Sequence, residues 1–508
     1  MGQGAEVKIP SARGVPFAFL CRVSIGKKTL QVMSNLASKL YLLRFFWLSV
    51  VVVALTGLAN SGPVQWSDNG LFLTMAAEQP WFATDLSEMS HPLFHLVAVA
   101  MYHFGGTSGL AWLNVLLLPL VGGLAFSIAR RLDADDETAS AAMAAALSAH
   151  CLLWVGTKVE VYILNLALIL ACWAVYLSSG KGPLSPFRLF VGGTLAGLAL
   201  SVHQLTVIVL APMAVMLLWQ CRWRVIWAAP GFLLGLAACW PAFVEIHGRG
   251  MPLFDIVRGF LTGGGHRQVN DWEQMFLRLD HLRTKLHLVA TVLVSLFGCG
   301  VMGLVFRPRG AGAWLLWIGA SMNLVFAATY DVPDRFTFFL PGAVLFGILG
   351  AVAMGRRHEG WFSRQWLMPL ILLPMLACHL VPLVASEALM KMPRVKSPAP
   401  FLNPLTYYFS PLVPDRSAER FARVFEQVVP PGGVVYADFL SLAALRSAQK
   451  VGIFVGREVR PCPDFKAGLP SAKPSFLVQP LECAGLMPYA KPVAPLGYVL
   501  AWPGAQTP

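Results

Sequence analysis

Few residues in this chain can do chemistry, and they are concentrated. Gln65 to Phe104 is the most mixed stretch of an otherwise apolar first half. In it Asp68 stands in Ser67-Asp-Asn-Gly70, a turn-prone run. We read Asp68 as a catalytic carboxylate, although an exposed loop aspartate is more often only a solvated turn former. Leu71 to Gln79 fits one or two amphipathic turns carrying Glu78, and His91-Pro92 opens a second apolar segment with His95 and His103. In Lys158-Val-Glu-Val-Tyr162, Glu160 suits a helix N-terminus for dipole reasons alone, or orients a sugar or partner group. His203-Gln204 lies between two apolar runs. A histidine there either bonds backbone carbonyls or, protonated near a phosphate, offsets negative charge. In Tyr330-Asp-Val-Pro-Asp-Arg335, which includes Asp331, Pro333 enforces an extended turn. Asp334 and Arg335 pair with each other, or Arg335 holds a lipid phosphate with its planar fork. Leu261-Thr-Gly-Gly-Gly-His266, followed by Arg267, is flexible by composition and reads as a connector or as a lid.

The elements that position these groups follow from composition. Of 508 residues, 56% are hydrophobic and 13% charged, against about 25% charged in a soluble domain. Apolar runs long enough to cross a bilayer recur, so the class is an all-α polytopic membrane domain. The net charge of +13 raises nucleic acid as a partner. The Lys and Arg residues fall between apolar runs, however, where the positive-inside rule puts them, and no nucleic-acid partner is expected.

Eleven spans are expected, near 41–58, 110–129, 139–157, 160–178, 187–203, 205–220, 225–243, 286–306, 313–329, 337–354 and 366–385. His91 to Phe104 is short for a crossing and reads as a membrane-surface or re-entrant helix. With the N-terminus inside, inner loops carry Arg130 and Arg131, Lys181 and Arg188, Arg222 and Arg224, Arg307 and Arg309, and Arg356, Arg357 and Arg364. Counting 91–104 as a span would move all of these outside, against the rule. The outer face then collects Asp68, Glu78, Asp85, Glu88, His91, Lys158, Glu160, His203, Gln204, Arg267, Asp331, Asp334 and Arg335. Ionisable groups gathered on one face, at the ends of spans far apart in sequence, are what one interfacial site requires.

Residues 1–40 read as a basic cytoplasmic leader without a clear cleavage site. Residues 41–386 are the membrane domain, with outer loops 59–109 and 244–285, and residues 387–508 a small extracytoplasmic α/β domain. In the last, Asp415 to Val429 fits an amphipathic helix. Strands are expected at Gly433 to Asp438, Val451 to Val455, Ser475 to Gln479 and Gly497 to Trp502, with a helix before Lys450. It has no phosphate loop and no nucleophile motif, so its expected role is structural or acceptor-binding. Cys462 and Cys483 can pair if this domain lies outside the cytoplasm. The spacing of the nine cysteines suggests no zinc site.

At these residues the chain resembles the GT-C-fold membrane glycosyltransferases, most closely the protein O-mannosyltransferase-like group of glycosyltransferase family 117. Ser67-Asp-Asn-Gly-Leu-Phe72 is similar to that group's Gly-Asp-Ser-Gly-Glu first-loop motif, and His91-Pro92 to its His-Pro-Pro. Glu160-Val-Tyr-Ile-Leu-Asn165 resembles its Glu-Val-Tyr-x-Leu-Asn, and His203-Gln-Leu-Thr206 its Asn-His-Leu-Thr. Asp331 to Pro341 is similar to its Asp-x-x-x-Phe-x-x-Pro patch. The order holds over about 60–355. Leu71 replaces the motif's Glu, leaving Glu78 as the candidate second acid, and Leu93-Phe-His-Leu96 replaces Pro-Gly-Tyr-Pro.

The resemblance implies a transferase of the bacterial inner membrane with a polyprenyl-phosphate-linked sugar as donor. Its acceptor would be a hydroxyl on a protein Ser/Thr, a lipid or a glycan. Asp68 would be the general base. Arg335, His203 and Arg267 would stabilise the leaving phosphate, and Glu78, His91, Lys158, Glu160, Tyr162, Gln204, Asp331 and Asp334 would line the substrate site. Inversion at the anomeric carbon follows from a single displacement. No metal or other cofactor is expected. The competing reading is a transporter or flippase of lipid-linked sugars. Such proteins tend to carry ionisable residues at the bilayer midplane and internal repeats; here the ionisable groups cluster at one face.

Overall fold

The computed structural model describes residues 46–82, 91–179, 182–262, 292–330, 336–356, 401–462, 475–478, 483–493 and 497–500, with isolated positions near 43, 366–377 and 399. The chain is mostly helical, with a small mixed sheet near its C-terminus. Apolar helices α1 (Phe46–Leu58), α3 (Pro92–Arg131), α6 (Tyr162–Leu177), α7 (Pro186–Val202), α8 (Leu205–Cys221), α13 (Ala311–Thr329) and α14 (Phe336–Gly355) build the membrane body.

At its centre, α14 is apolar on every side, and nearly all of it is buried. A helix without a polar face has to be surrounded. Its glycines let neighbours come close: Gly347 meets Ala145, Gly350 meets Gly303, and Gly355 meets Thr138. Pro341 weakens the helix ladder, and a buried amide repairs it. Gly342 N–H donates to Asn323 Oδ1 (2.7 Å), while Asn323 Nδ2 donates to Phe338 O (3.0 Å). One asparagine thus replaces the rung between residues 342 and 338.

Several expected spans are more broken than the hydropathy suggested. Span 139–157 divides into α4 (Asp136–Leu147) and α5 (His150–Gly156), which meet at 56°. The segment after His91 is helical and joins span 110–129 in α3, with non-helical backbone at Gly105 and Gly106. The apolar stretch Leu205–Gly248 reverses at a 3-10 turn, Arg222–Trp227. Beyond it, Ala228 lies against Gly193 and Phe232 against Gly197, so α9 (Ala228–Gly235) runs parallel to α7. The chain continues through α10 (Trp240–Gly248) and α11 (Leu253–Thr262), and later α12 (Cys299–Val305).

The tail begins with α15 (Pro404–Phe409) and α16 (Ser417–Val428). Strand β1 (Val434–Ala437), helix α17 (Phe439–Gln449), and strands β2 (Glu458–Pro461), β3 (Ser475–Val478), β4 (Ala490–Val493) and β5 (Gly497–Leu500) follow. The sheet order is β2-β1-β3-β5-β4. Strand β1 is parallel to both its neighbours, and β5 is antiparallel to both of its own. Phe421 and Phe425 of α16 and Leu445 of α17 form its core with Phe454 and Phe476. The strand expected at Val451 to Val455 is absent. Gly452, Phe454 and Gly456 have φ of 81°, 63° and 74°, a left-handed path that cannot join a ladder, and the strand forms at Glu458–Pro461 instead. Strand β4, with Pro492 and exposed Lys491, was not expected; it is an edge strand, where Pro is tolerated. Cys462 and Cys483 form a disulfide, with Cα atoms 5.2 Å apart.

Candidate active site

The first loop is not the exposed turn that its polar residues suggested. Ser67–Glu78 is helix α2, with Asp68 half-buried in its first turn. Ser67 itself holds φ at 56°, uncommon for a residue with a side chain. The surroundings impose this conformation. Residues 59–66 are almost wholly buried, and their polar groups are tied down. Asn60 Nδ2 donates to Ala111 O (2.6 Å), and Ser61 N–H to Thr157 O (2.9 Å). Gln65 is a clamp: its Nε2 donates to Gly62 O (2.5 Å), and its Oε1 accepts from Val159 N–H (3.1 Å).

The tail closes the same loop from the other side. Trp66 Nε1 donates to Ser417 Oγ (2.7 Å), and its ring packs on Phe421 at 5.1 Å. Arg416 Nη1 donates to Ser61 O (2.9 Å), and Trp154 Nε1 to Tyr407 O (2.7 Å). A Cβ on Gly70 would lie 2.7 Å from Ala443 O of α17. Glu78 pairs with Lys450 at 2.6 Å, so this expected site residue bridges the membrane body to the tail.

Helix geometry orients Asp68. Phe72, one turn on, lies on the same face as Asp68 and packs edge-on against His91 (5.7 Å) and Phe94 (5.2 Å). Gly70 points about 200° away, toward the tail. Asp68 therefore shares the face of α2 that looks toward His91.

His91 caps α3 just before Pro92 and sends Nδ1 to Val202 O (2.8 Å). A carbonyl only accepts, so His91 carries its hydrogen on Nδ1 and presents a bare Nε2. His203 does the reverse: its Nδ1 accepts from Leu205 N–H (3.0 Å), which puts its hydrogen on Nε2. The two rings stack at 5.1 Å and 17°. Burial lowers the His91 pKa to about 4, although the bond to Val202 opposes this, and it lowers His203 well below its usual range, with His91 adding to the effect. Burial thus disfavours the charged form of both rings, and the Leu205 N–H bond shows His203 bonded to backbone. Tyr162 lies 4.9 Å from the His203 ring, and Phe338 joins Tyr162 (5.5 Å) to Tyr330 (5.0 Å).

Lys158 and Glu160 were expected in an outer connection; both are buried, at 4% and 2% exposure. Asn114 Nδ2 holds the carbonyls of Lys158 (2.9 Å) and Glu160 (2.7 Å). The Lys158 ammonium donates to Trp154 O (3.2 Å) and stands over the rings of Trp154 (3.9 Å) and Tyr407 (4.9 Å). Burial pulls its pKa down to about 7, against the opposing pull of Asp415 and Glu160. Lys158 also lines a cavity of about 270 Å³ between body and tail, with Asp415, Arg416 and Arg420.

The structure thus gathers His91, Tyr162 and His203 and turns the Asp68 face of α2 toward them. Gln204 turns aside, donating to Phe260 O (2.9 Å). Arg267, Asp331, Asp334, Arg335, Asp85 and Glu88 lie outside the described residues. Sequence reasoning missed Gln65, Asn114, Tyr407 and Arg416, which carry no motif. Asn165 and Thr206 stood in the quoted motifs without a role; Asn165 Nδ2 donates to Thr206 Oγ1 (2.8 Å) and Ala199 O (2.8 Å), fixing the helices on either side of His203. Among the described residues no three His, Cys, Asp or Glu side chains gather as a metal-ligand set.

Among solved structures, the chain is similar to ArnT from Cupriavidus metallidurans. The crystal structure bound to undecaprenyl phosphate superposes with a TM-score of 0.58 at 13% identity, covering 91% of this chain and 99% of that one. The chain shares the fold of ArnT. The apo crystal structure gives 0.58 at 16% identity, covering 92% and 100%. The likeness thus takes in both the membrane body and the tail, where the sequence motifs covered only the body. No protein-family model and no curated protein matches the sequence. The expected GT-C architecture, a helical membrane body with a small mixed-sheet domain after it, is the ArnT-like fold found here.

Proposed function

We propose that this chain is a membrane glycosyltransferase that moves a sugar from a polyprenyl-phosphate carrier to a hydroxyl acceptor, at the membrane face where the tail docks. The observation that carries the reading is the ArnT fold over nine-tenths of both chains, with undecaprenyl phosphate bound in one ArnT structure. The arrangement of side chains suits the chemistry. Asp68 takes the acceptor's proton as the hydroxyl oxygen attacks the anomeric carbon. The bond from that carbon to the carrier's phosphate oxygen breaks, and the phosphate leaves with the electron pair. His203 can donate Nε2–H to that oxygen, with Arg335 and Arg267 as the cationic candidates. His91 Nε2 and Tyr162 offer an acceptor and a hydroxyl to orient the sugar. A single displacement inverts the anomeric carbon.

The motif likeness to the O-mannosyltransferase-like group directs the donor search to hexoses, mannose first. It leaves protein Ser/Thr, lipid and glycan hydroxyls as acceptors. The basic loops between spans support an orientation in which the tail faces outward from a bacterial inner membrane. The test is transfer, or slow hydrolysis, of a panel of polyprenyl-phosphate sugars by the purified chain beside Asp68→Asn. Turnover of one donor that the substitution abolishes is the expected result. Turnover that survives Asp68→Asn would overturn the base assignment and leave the fold standing.

A further inference from the structure

The face of the membrane body away from the tail carries a second cavity. Helix α13 ends at Thr329, beside the Tyr330–Phe338 aromatic contact, and begins at Ala311, about 28 Å away by helix rise. At that far end a cavity of about 260 Å³ opens between the α12–α13 connection and the last turns of α14. Arg307, Arg309 and Arg356 line it, and among the described residues no acidic one does. Arg307 and Arg309 are exposed, and Arg356 is half-buried.

Three other arginines on this face have partners for their side chains. Arg130 pairs with Asp136 (3.0 Å), Arg131 bonds Ser127, and Arg188 donates to Ser178 O (3.2 Å). The side chains of the three cavity arginines make no hydrogen bond or ion pair with any described residue. Like charges around one concavity repel, and a shared anion removes the repulsion. Guanidinium forks match a phosphate's oxygens. The wall behind them is apolar, made by Phe306, Leu349 and Val352. The cavity has room for about nine waters, more than a five-heavy-atom phosphate displaces. A ligand with an anionic head and a less polar stem suits both halves. At a membrane surface, basic pockets between helices take lipid headgroups.

We propose that this cavity binds the headgroup of an anionic glycerophospholipid, its phosphate on Arg307, Arg309 and Arg356 and its glycerol against Phe306, Leu349 and Val352. The site is independent of the transfer chemistry and would stand if the proposed activity fell. The test uses the full chain in phosphatidylcholine nanodiscs, with and without about one-fifth phosphatidylglycerol, read by Tm and by lipid retained in native mass spectrometry. Phosphatidylglycerol is expected to raise the wild-type Tm by several degrees and to be retained. The triple variant Arg307→Gln, Arg309→Gln, Arg356→Gln is expected to lose both. If that variant does not fold, Arg307→Gln and Arg309→Gln, each an exposed side chain, are each expected to lose part of the shift.

Arg222→Gln with Arg224→Gln, an exposed basic pair outside this cavity, is expected to keep the whole effect. A triple or single variant that keeps the full shift overturns the proposal. So does the same loss in the 222/224 variant, which would mean general attraction to a charged surface. An equal shift from inorganic phosphate in pure phosphatidylcholine would mean a free-anion site and would overturn it too.

Discussion

Lys158 gives the sharpest test of the buried connection. The residue is 4% exposed, and burial draws its pKa from 10.5 to about 7. Below pH 7 the lysine is charged in both folded and unfolded chains, and the folded state bears the full cost of burying that charge. Between pH 7 and 10.5 the folded lysine is neutral while the unfolded one still binds its proton. Stability therefore rises with pH across this window, by about 1.4 kcal/mol per unit. The whole window is worth about 5 kcal/mol, and the part between pH 7 and 9 between about 2 and 3 kcal/mol. Lys158→Met keeps a stem over Trp154 and Tyr407 and removes the titration. The assay is Tm from pH 6 to 9 for both proteins in the same nanodiscs. The wild type is expected to gain on the variant steadily above pH 7. Parallel curves would refute the reasoning, because they would mean that the ammonium is solvated through the adjoining cavity.

Gln65→Leu leaves Val159 N–H and Gly62 O unpaired, at about 1–3 kcal/mol each. A lowered Tm together with slower transfer is expected. Gly70→Ala would normally stabilise a helix by about 1 kcal/mol; here the new methyl meets the carbonyls of Gln65 and Ala443, so a fall in Tm is expected. Glu78→Gln breaks a pair whose carboxylate side is 53% exposed, so Tm is expected to move by no more than about 1 kcal/mol of stability. Loss of transfer at unchanged Tm would then assign Glu78 to the chemistry. Replacing Cys462 and Cys483 by Ser opens a 21-residue loop, and chemical denaturation of the tail is expected to show a loss of about 3 kcal/mol.

The sequence made the architecture legible because α13 and α14 carry long apolar runs, α16 carries a clear helical periodicity, and β1 is a short apolar run after a Pro-Pro-Gly-Gly turn. The Lys158–Tyr162 and His203 motifs led to side chains that do converge. The environment of those side chains was hidden. Nothing in Ser67-Asp-Asn-Gly70 distinguishes a solvated turn from a helix held by Ser417, Ala443 and Ser447, which accepts from Gln65 N–H, since these groups lie up to 382 residues from the residues they hold. Lys158 reads as a surface lysine until Trp154 and Tyr407 are seen around it. The tautomers of His91 and His203 depend on two backbone groups, Val202 O and Leu205 N–H, whose placement no local pattern announces. The break at Asn323 and Gly342 was equally silent, because it needs an asparagine from the neighbouring helix.

The tail's grip on the first loop also sets a timetable. Trp66 must wait for Ser417, 351 residues later, and Ser61 for Arg416, 355 residues later. At ribosomal speeds of about 5–20 residues per second, that is a delay of roughly 18 to 70 s. Through that interval the membrane body is already made, yet α2 has no tail to hold it and Lys158 has no Tyr407 above it. The carboxylate at position 68 acquires its final surroundings only after the tail has been synthesised and has folded. On the proposed function, a nascent or truncated chain, however well inserted, would thus be catalytically silent, and the tail's arrival would act as a built-in start signal for transfer.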